Sequence, residues 1–454
     1  MCLRILKLFG RLIFTPYICA KNFTLMYKIL FSIMAICMLT LGGCHANQGK
    51  PDNTNHFVTV RDGEFVIGDS TYRYIGANLW YGALMAAPKS GDRARLHREL
   101  DSLQSMGIDN LRILVGGDGN GTRESHLEPN LQTAPGQYDE ELLEGLDYLL
   151  VELEKRNMKA ILYLTNAWEW SGGYTTYLEW VGYPKAPVSK GDQYDDYVKY
   201  AAQFITNDSV KKIYERHVDK IVSRVNSING APYKESPAIM SWQICNEPRS
   251  FSVEGKRALA EWIAKTAKQI KKLDPNHLVS TGSEGEIGCE GDLALWTEIH
   301  NDPNIDYATI HIWPYNWHWV GDNDLTERLN VACDKTLDYI RRHRASMPGK
   351  PIVLEEFGYP RDNRAIAVES SANSRDKYYE YVLGVVADST LLNGANFWGW
   401  SGEARPAHAI WQKGDPLTND PAHEEQGLYS VFNCDTVAVD VIKNAIKRLN
   451  SKRQ

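Results

Sequence analysis

Two short apolar runs in this chain end in carboxylates. One, Ala238 to Cys245, stops at Asn246-Glu247-Pro248; the other, Pro351 to Leu354, stops at Glu355-Glu356-Phe357-Gly358. Pro248 cannot donate to a sheet ladder and restricts the residue before it to extended geometry. Glu247 is therefore expected on the last residue of a strand. A carboxylic acid there, flanked by an amide, can give and take a proton. Asn-Glu-Pro alone fits a strand-end Glu that caps the next helix equally well. The second carboxylate run changes that balance. Two carboxylates facing one cleft suit glycoside hydrolysis, one as acid/base and one as nucleophile. Alternation along a strand sends neighbours to opposite faces, so of Glu355 and Glu356 one faces the cleft.

Arg112 is a charge inside the otherwise apolar run Asn110 to Leu114. An edge strand or a buried ion pair would explain it; in a closed barrel it reaches inward for a carboxylate. Aromatics are abundant, with 13 Trp and 24 Tyr. Many must be core, yet Trp80, Tyr81, Trp168, Trp170, Trp313, Trp317, Trp319, Trp398 and Trp400 fall at or just after predicted strand ends. Sugar rings present apolar C–H faces that stack on such side chains.

Strand-like and helix-like runs alternate to position these groups. After a short hairpin turning at Asp62-Gly63, strands are predicted at 72–78, 110–115, 159–165, 238–245, 278–281, 307–311, 352–356 and 394–398. Helices with apolar faces are predicted at 92–106, 140–156, 194–228, 254–273, 325–346, 375–387 and 437–449. Eight βα units without an internal repeat predict one α/β domain, a (β/α)₈ barrel over 57–454. The chain exceeds the roughly 250 residues usual for that fold, so long loops are expected on the catalytic face, at 165–192, 284–305, 314–324 and 401–430.

The 454 residues are 43% hydrophobic with a net charge of −7, which argues against a nucleic-acid partner. Residues 1–43 read as an export signal starting at Met26, with Lys28 before an apolar core from Ile29 to Leu41. Leu41-Gly42-Gly43-Cys44 resembles a bacterial lipobox, which makes Cys44 a lipidation site and places the protein in the cell envelope on a lipid anchor. Residues 44–56 read as a polar tether. Cys245, Cys289, Cys333 and Cys434 remain; no CxxC spacing predicts a zinc site, and their pairing is left open. No cofactor is called for, and a monomer is expected.

Asn-Glu-Pro after a strand, Glu-Phe-Gly after a later one and His311 between them resemble glycoside hydrolase family 5. Thr165-Asn166-Ala167-Trp168 with Gly172-Gly173, His311-Ile312-Trp313-Pro314, Phe397-Trp398-Gly399 and Glu425-Gln426-Gly427-Leu428-Tyr429-Ser430-Val431 are similar to the β-mannanases of that family. The resemblance implies Glu247 as acid/base and Glu356, directly before Phe-Gly, as nucleophile. It implies that Arg112 supports the nucleophile, that Asn246 donates to the sugar 2-hydroxyl, and that His311, Asn166 and Trp168 line the site. Where the family has a Tyr two residues after the His, this chain has Trp313, with Tyr315 nearby. Trp398 resembles the platform for the sugar at the cleavage point, and Trp80 and Tyr81 a second platform. Glu247 must then hold a proton near neutral pH, raised by the second carboxylate, while Glu356 stays ionised. The implied activity is retaining endo-hydrolysis of β-1,4-mannosidic bonds. A relative acting on β-glucan or cellulose, and a surface glycan-binding lipoprotein without catalysis, are the alternatives; binding alone would not need the carboxylate pair.

Overall fold

The computed structural model describes residues 56–119 and 126–452. The export signal, Cys44 and nearly all of the tether lie outside the described residues. Eight parallel strands form the predicted barrel: β1 (Tyr74–Asn78), β2 (Asn110–Leu114), β3 (Lys159–Tyr163), β4 (Ile239–Gln243), β5 (Leu278–Ser280), β6 (Ala308–Ile312), β7 (Ile352–Phe357) and β8 (Gly394–Phe397). The ladder runs β5-β4-β3-β2-β1-β8-β7-β6. The gap between β5 and β6 is bridged where the Asp306 backbone N–H donates to the Val279 carbonyl at 2.9 Å and the Val279 N–H to the Asp306 carboxylate at 2.7 Å.

The helices expected from periodicity pack outside the strands with three differences. The run predicted as one helix over 194–228 is two, Tyr194–Ala201 and Asp208–Val222. Asn207 starts the second by accepting from the backbone N–H of Ser209 and Val210. The segments expected as loops at 165–192 and 284–305 contain the helices Gly173–Trp180 and Leu293–His300, the latter capped by Asp292. Both are eight residues long, too short for apolar periodicity to announce.

The lead-in hairpin, Val58–Arg61 paired antiparallel with Glu64–Ile67, stoppers the barrel's N-terminal end. Phe65 packs there among Tyr74, Ile161, Met240, Tyr307 and Val353. Above this apolar layer the interior turns polar. Asn396 donates to Asn110 at 3.0 Å, and above them lie Asn78, Arg112, Gln243 and Glu355, all fully buried. Alternation sends Leu111 and Ile113 outward to the helices and Arg112 inward.

Two register shifts break that alternation on the strands that carry the glutamates. Opposite β3, Met240 is an extra residue on β4; opposite β6, Glu355 is an extra residue on β7, because Ile310 faces Leu354 and His311 faces Glu356. A bulge of this kind redirects side chains near functional sites. As a result Glu355 does not point away from the barrel, as strict alternation predicts. It is fully buried beneath Glu356, accepting from Gln243 Nε2 at 2.6 Å and the Tyr307 hydroxyl at 3.3 Å.

Candidate active site

The β4 ladder stops at Gln243, four residues before Glu247. Single hydrogen bonds continue beyond it, Ile244 N–H to Ser280, Cys245 N–H to Thr281 and Glu247 N–H to Gly282. Glu247 then turns into the left-handed region at φ 51°, not the extended geometry expected before proline. That conformation costs a non-glycine residue about 1–3 kcal/mol and is characteristic of functional sites. Its neighbour Gly282 must be glycine, because at φ +79° a Cβ would lie 1.9 Å from the Cys245 carbonyl.

Glu247, His311 and Glu356 converge: one oxygen of each carboxylate and a ring nitrogen of His311 lie within 4.8 Å of one another. His311 Nδ1 is 2.8 Å from Glu247 Oε1 and 3.4 Å from Glu356 Oε2. Trp168 Nε1–H donates to Glu247 Oε2 at 2.5 Å. Arg112 organises the other carboxylate. Its Nη1 donates to Glu356 Oε1 at 2.5 Å and to Asn78 at 3.2 Å, its Nη2 to Asn246 Oδ1 at 2.7 Å, and its Nε to Gln243 at 2.8 Å. Trp313 donates its indole N–H to Glu356 Oε2 at 3.2 Å. Asn246 is oriented from behind by Asn166, which accepts from its amide at 3.0 Å.

These groups open on a cleft of about 910 Å³ whose wall includes Asn246, Glu247, Glu356, Trp168, Trp313 and Trp398. Asn166 and Arg112 stand behind it. Trp170 and Trp317 also line it, but Trp319 and Trp400 do not; Trp400 is buried with its N–H on Glu99 at 2.7 Å. The platform expected at Trp80 and Tyr81 does not form. Tyr81 is fully buried, donating its hydroxyl to the Trp400 carbonyl at 2.9 Å. Trp80 is 2% exposed. Arg249 and Glu284, unmarked by any pairing pattern in the sequence, join at 2.5 Å on the cleft wall, Glu284 buried and Arg249 partly buried. Arg249 lies 5.2 Å over the Trp168 ring; its place directly after Glu247-Pro248 was the available signal. The four cysteines among the described residues are free thiols.

Three carboxylates (Glu247, Glu355, Glu356) face two cations (Arg112 and His311), so neutrality asks for one shared proton. Burial pushes the Glu356 carboxyl up to about 7, helped by the Glu247 charge and opposed by His311 and Arg112. Burial also works against charge on Glu247, but the His311 hydrogen bond and charge, Arg249 and Trp168 outweigh it and hold Glu247 below the ordinary carboxylate value. Burial opposes a charge on His311, yet the neighbouring glutamates raise the imidazole to about 9. The site thus reverses the protonation the sequence alone predicts, because His311 donates to Glu247. The two carboxyls titrate as one unit. His311 Nδ1, within reach of both, gives the proton a short route to Glu247 when a sugar occupies Glu356. An imidazole held protonated is also a poor metal ligand, so acid–base work suits this triad better than a cation.

A raised carboxyl keeps its proton below its pKa and loses it above. The kcat/KM profile should therefore fall as pH rises through about 7, where the pair loses the proton that the leaving group needs. A profile flat to pH ~9 would contradict this assignment.

A family model described as glycoside hydrolase family 5, β-mannosidase-like, matches residues 55–454. Mannan endo-1,4-β-mannosidase 1 of Arabidopsis thaliana is 30% identical over 353 residues, covering 75% of this chain and 79% of that protein. A family 5 mannosidase from Rhizomucor miehei, solved with mannosyl-fructose, superposes with a TM-score of 0.81 at 32% identity, over 88% of this chain and 99% of that one. The endo-β-1,4-mannanase of Thermotoga petrophila superposes with a TM-score of 0.63 at 25% identity, over 84% and 78% of the two chains.

Proposed function

The chain belongs to glycoside hydrolase family 5, in its β-mannosidase-like group, and on that premise we propose that it is a retaining, endo-acting hydrolase of β-1,4-mannosidic bonds in mannan, glucomannan or galactomannan. The observation that carries the reading is the spacing of the two strand-end carboxylates. Retaining enzymes hold theirs about 5–5.5 Å apart, inverting enzymes about 6.5–9.5 Å. One oxygen of Glu247 and one of Glu356 lie within 4.8 Å of each other, which fits the first class, in which the second carboxylate attacks the anomeric carbon directly.

In this reading Glu356, steered by Arg112 and Trp313, attacks the anomeric carbon. Glu247, reprotonated through His311, protonates the departing oxygen and then activates water to release the sugar. Asn246, with its carbonyl held by Arg112, offers its amide to the 2-hydroxyl. The choice of mannose over glucose follows the relatives' names. Hydrolysis of mannan, glucomannan, galactomannan and cellulose in parallel tests it. Reducing ends should appear from the three mannans and not from cellulose; preference for cellulose would move the chain to the β-glucan alternative.

We propose in addition that the chain is lipid-anchored through Cys44, supported by Leu41-Gly42-Gly43-Cys44 after an apolar run. Among the described residues no helix is long and apolar enough to cross a membrane. Cys44→Ala should release the protein from the membrane fraction with specific activity unchanged. Unaltered membrane retention would refute the anchor.

A further inference from the structure

Beneath the catalytic pair lies a third carboxylate that takes no part in bond making. Glu355 is fully buried, and the extra residue on β7 turns it inward beside Glu356. Its carboxylate accepts from neutral donors, Gln243 Nε2 at 2.6 Å and the Tyr307 hydroxyl at 3.3 Å. Two cations stand at ion-pair distance from its Oε2, Arg112 Nε at 3.8 Å and His311 Nε2 at 3.8 Å. Arg112 is tied to it twice through amides. Gln243 donates to Glu355 and accepts from Arg112 Nε. Asn78 donates to the Glu355 carbonyl at 2.8 Å and accepts from Arg112 Nη1. Among the described residues His311 Nε2 has no hydrogen-bond partner, so on that side of the ring Glu355 supplies charge rather than a bond. Burying a carboxylate is costly, and an apolar side chain of similar size beside Tyr307 would avoid that cost. What the carboxylate adds is its charge.

The reaction changes the charges around it. In the first step Glu356 bonds to the anomeric carbon, the bond to the leaving oxygen breaks, and that oxygen takes the proton of Glu247. Glu356 is then an uncharged ester and Glu247 a carboxylate. Glu247 and Glu355 now balance Arg112 and protonated His311, as Glu355 and the proton-sharing pair do before the sugar binds. Without Glu355 the covalent intermediate would bury an unmatched positive charge, which would weaken Glu247 as the base that activates water. Resting on the retaining-hydrolase reading of this site, we propose that Glu355 is a positioning residue, a permanent buried counter-ion that keeps His311 and Arg112 charged and the site neutral through both steps. The other groups facing these charges do not take its place. Burial pushes Tyr74, Tyr163, Tyr307 and the Cys245 thiol up, so they stay neutral. Glu284 is engaged by Arg249. Burial opposes the His311 imidazolium, and Glu356, Glu247 and Glu355 together raise it to about 9.

NMR of the protein with isotopically labelled histidine nitrogens, with His311→Gln to assign the signal, reads the imidazole directly. Glu355→Gln keeps the shape and an acceptor oxygen and removes the charge. Losing a negative neighbour makes protons leave more readily. The His311 midpoint, about 9 in the wild type, should therefore fall by about one pH unit, the scale of a neighbouring charge. The alkaline limb of kcat/KM at about 7 should move down with it. On a dinitrophenyl mannoside, where release of the sugar limits turnover, kcat and KM should fall together by about tenfold, because the covalent intermediate accumulates. A side chain that only fills space would lower the melting temperature and leave the midpoint and the limb in place. That result, or an upward shift of either, would overturn the proposal. A second arm leaves Glu355 intact. In Glu247→Ala loaded with the same mannoside, Glu356 is esterified and Glu247 is absent, so Glu355 is the anion left to His311. Its signal should be that of an imidazolium at about pH 6, and a neutral ring would overturn the counter-ion. Failure to cleave any mannoside, with the His311 midpoint still shifted by Glu355→Gln, would overturn the hydrolase reading and leave the counter-ion standing.

Discussion

Glu356→Ala should lower kcat on mannan by about five orders of magnitude, the scale on which a covalent nucleophile acts. That is about 7 kcal/mol of transition-state stabilisation. The loss should be equally deep with activated aryl mannosides, because no leaving group compensates for a missing nucleophile. The variant also strands a buried cation. Arg112 is fully buried, and its 2.5 Å partner would be gone, leaving Glu355 at 3.8 Å from its Nε. A buried charge without its partner costs about 3–5 kcal/mol, so the melting temperature should drop as well. Azide offers an anion of the right size beside Arg112, and any activity it restores should give product of inverted configuration. Full activity of Glu356→Ala would remove the nucleophile from the mechanism.

Glu247→Ala should behave differently according to the leaving group. With mannan, whose departing alcohol needs a proton, loss of general acid–base help should cost about 10²–10⁴-fold. With a dinitrophenyl mannoside the first step needs no proton, so the covalent intermediate should form in a burst and then stall for want of a base. Azide should rescue that second step, with configuration retained. A steady rate without a burst, or an inverted azide product, would mean that Glu247 and Glu356 have exchanged roles. His311 sharpens the test. With Glu247 gone it loses its 2.8 Å contact and keeps Glu356 at 3.4 Å and Glu355 at 3.8 Å, so the alkaline limb expected near pH 7 from the pair should disappear.

Much of this site is legible in the sequence because local chemistry announces it. Apolar runs that stop at Asn246-Glu247-Pro248 and at Glu355-Glu356-Phe357 mark strand ends. A lone Arg112 within β2 must find an interior partner once the sheet closes. What sequence does not carry is whatever depends on pairing between distant segments. The extra residue at Glu355 exists because Ile310 and His311 on β6 take up a shifted register against β7. No pattern within Pro351 to Gly358 encodes that shift, so alternation assigns Glu355 to the wrong face. Trp80 and Tyr81 read as a sugar platform because nothing near them in sequence shows that Asn419 and Trp170 will cover the one and Arg95 and Trp400 the other. The protonation of the pair is inverted for a similar reason. Like-charge repulsion between two glutamates is predictable from their types, but which one His311 serves depends on a difference between 2.8 and 3.4 Å.

Retention through Glu356 requires a covalent sugar ester on that residue, and trapping the ester tests it most directly. Incubation with an activated 2-deoxy-2-fluoro-mannoside slows the second step by removing the 2-hydroxyl contact that Asn246 would strengthen in the transition state. Peptide mass mapping after protease digestion should find one fluorosugar per chain, on the peptide that contains Pro351 to Gly358, with fragmentation assigning it to Glu356. The adduct should be absent in Glu356→Ala and should turn over when mannobiose is added. Attachment to Glu247 or Glu355, or no adduct together with α-mannose as the first-formed product, would contradict it.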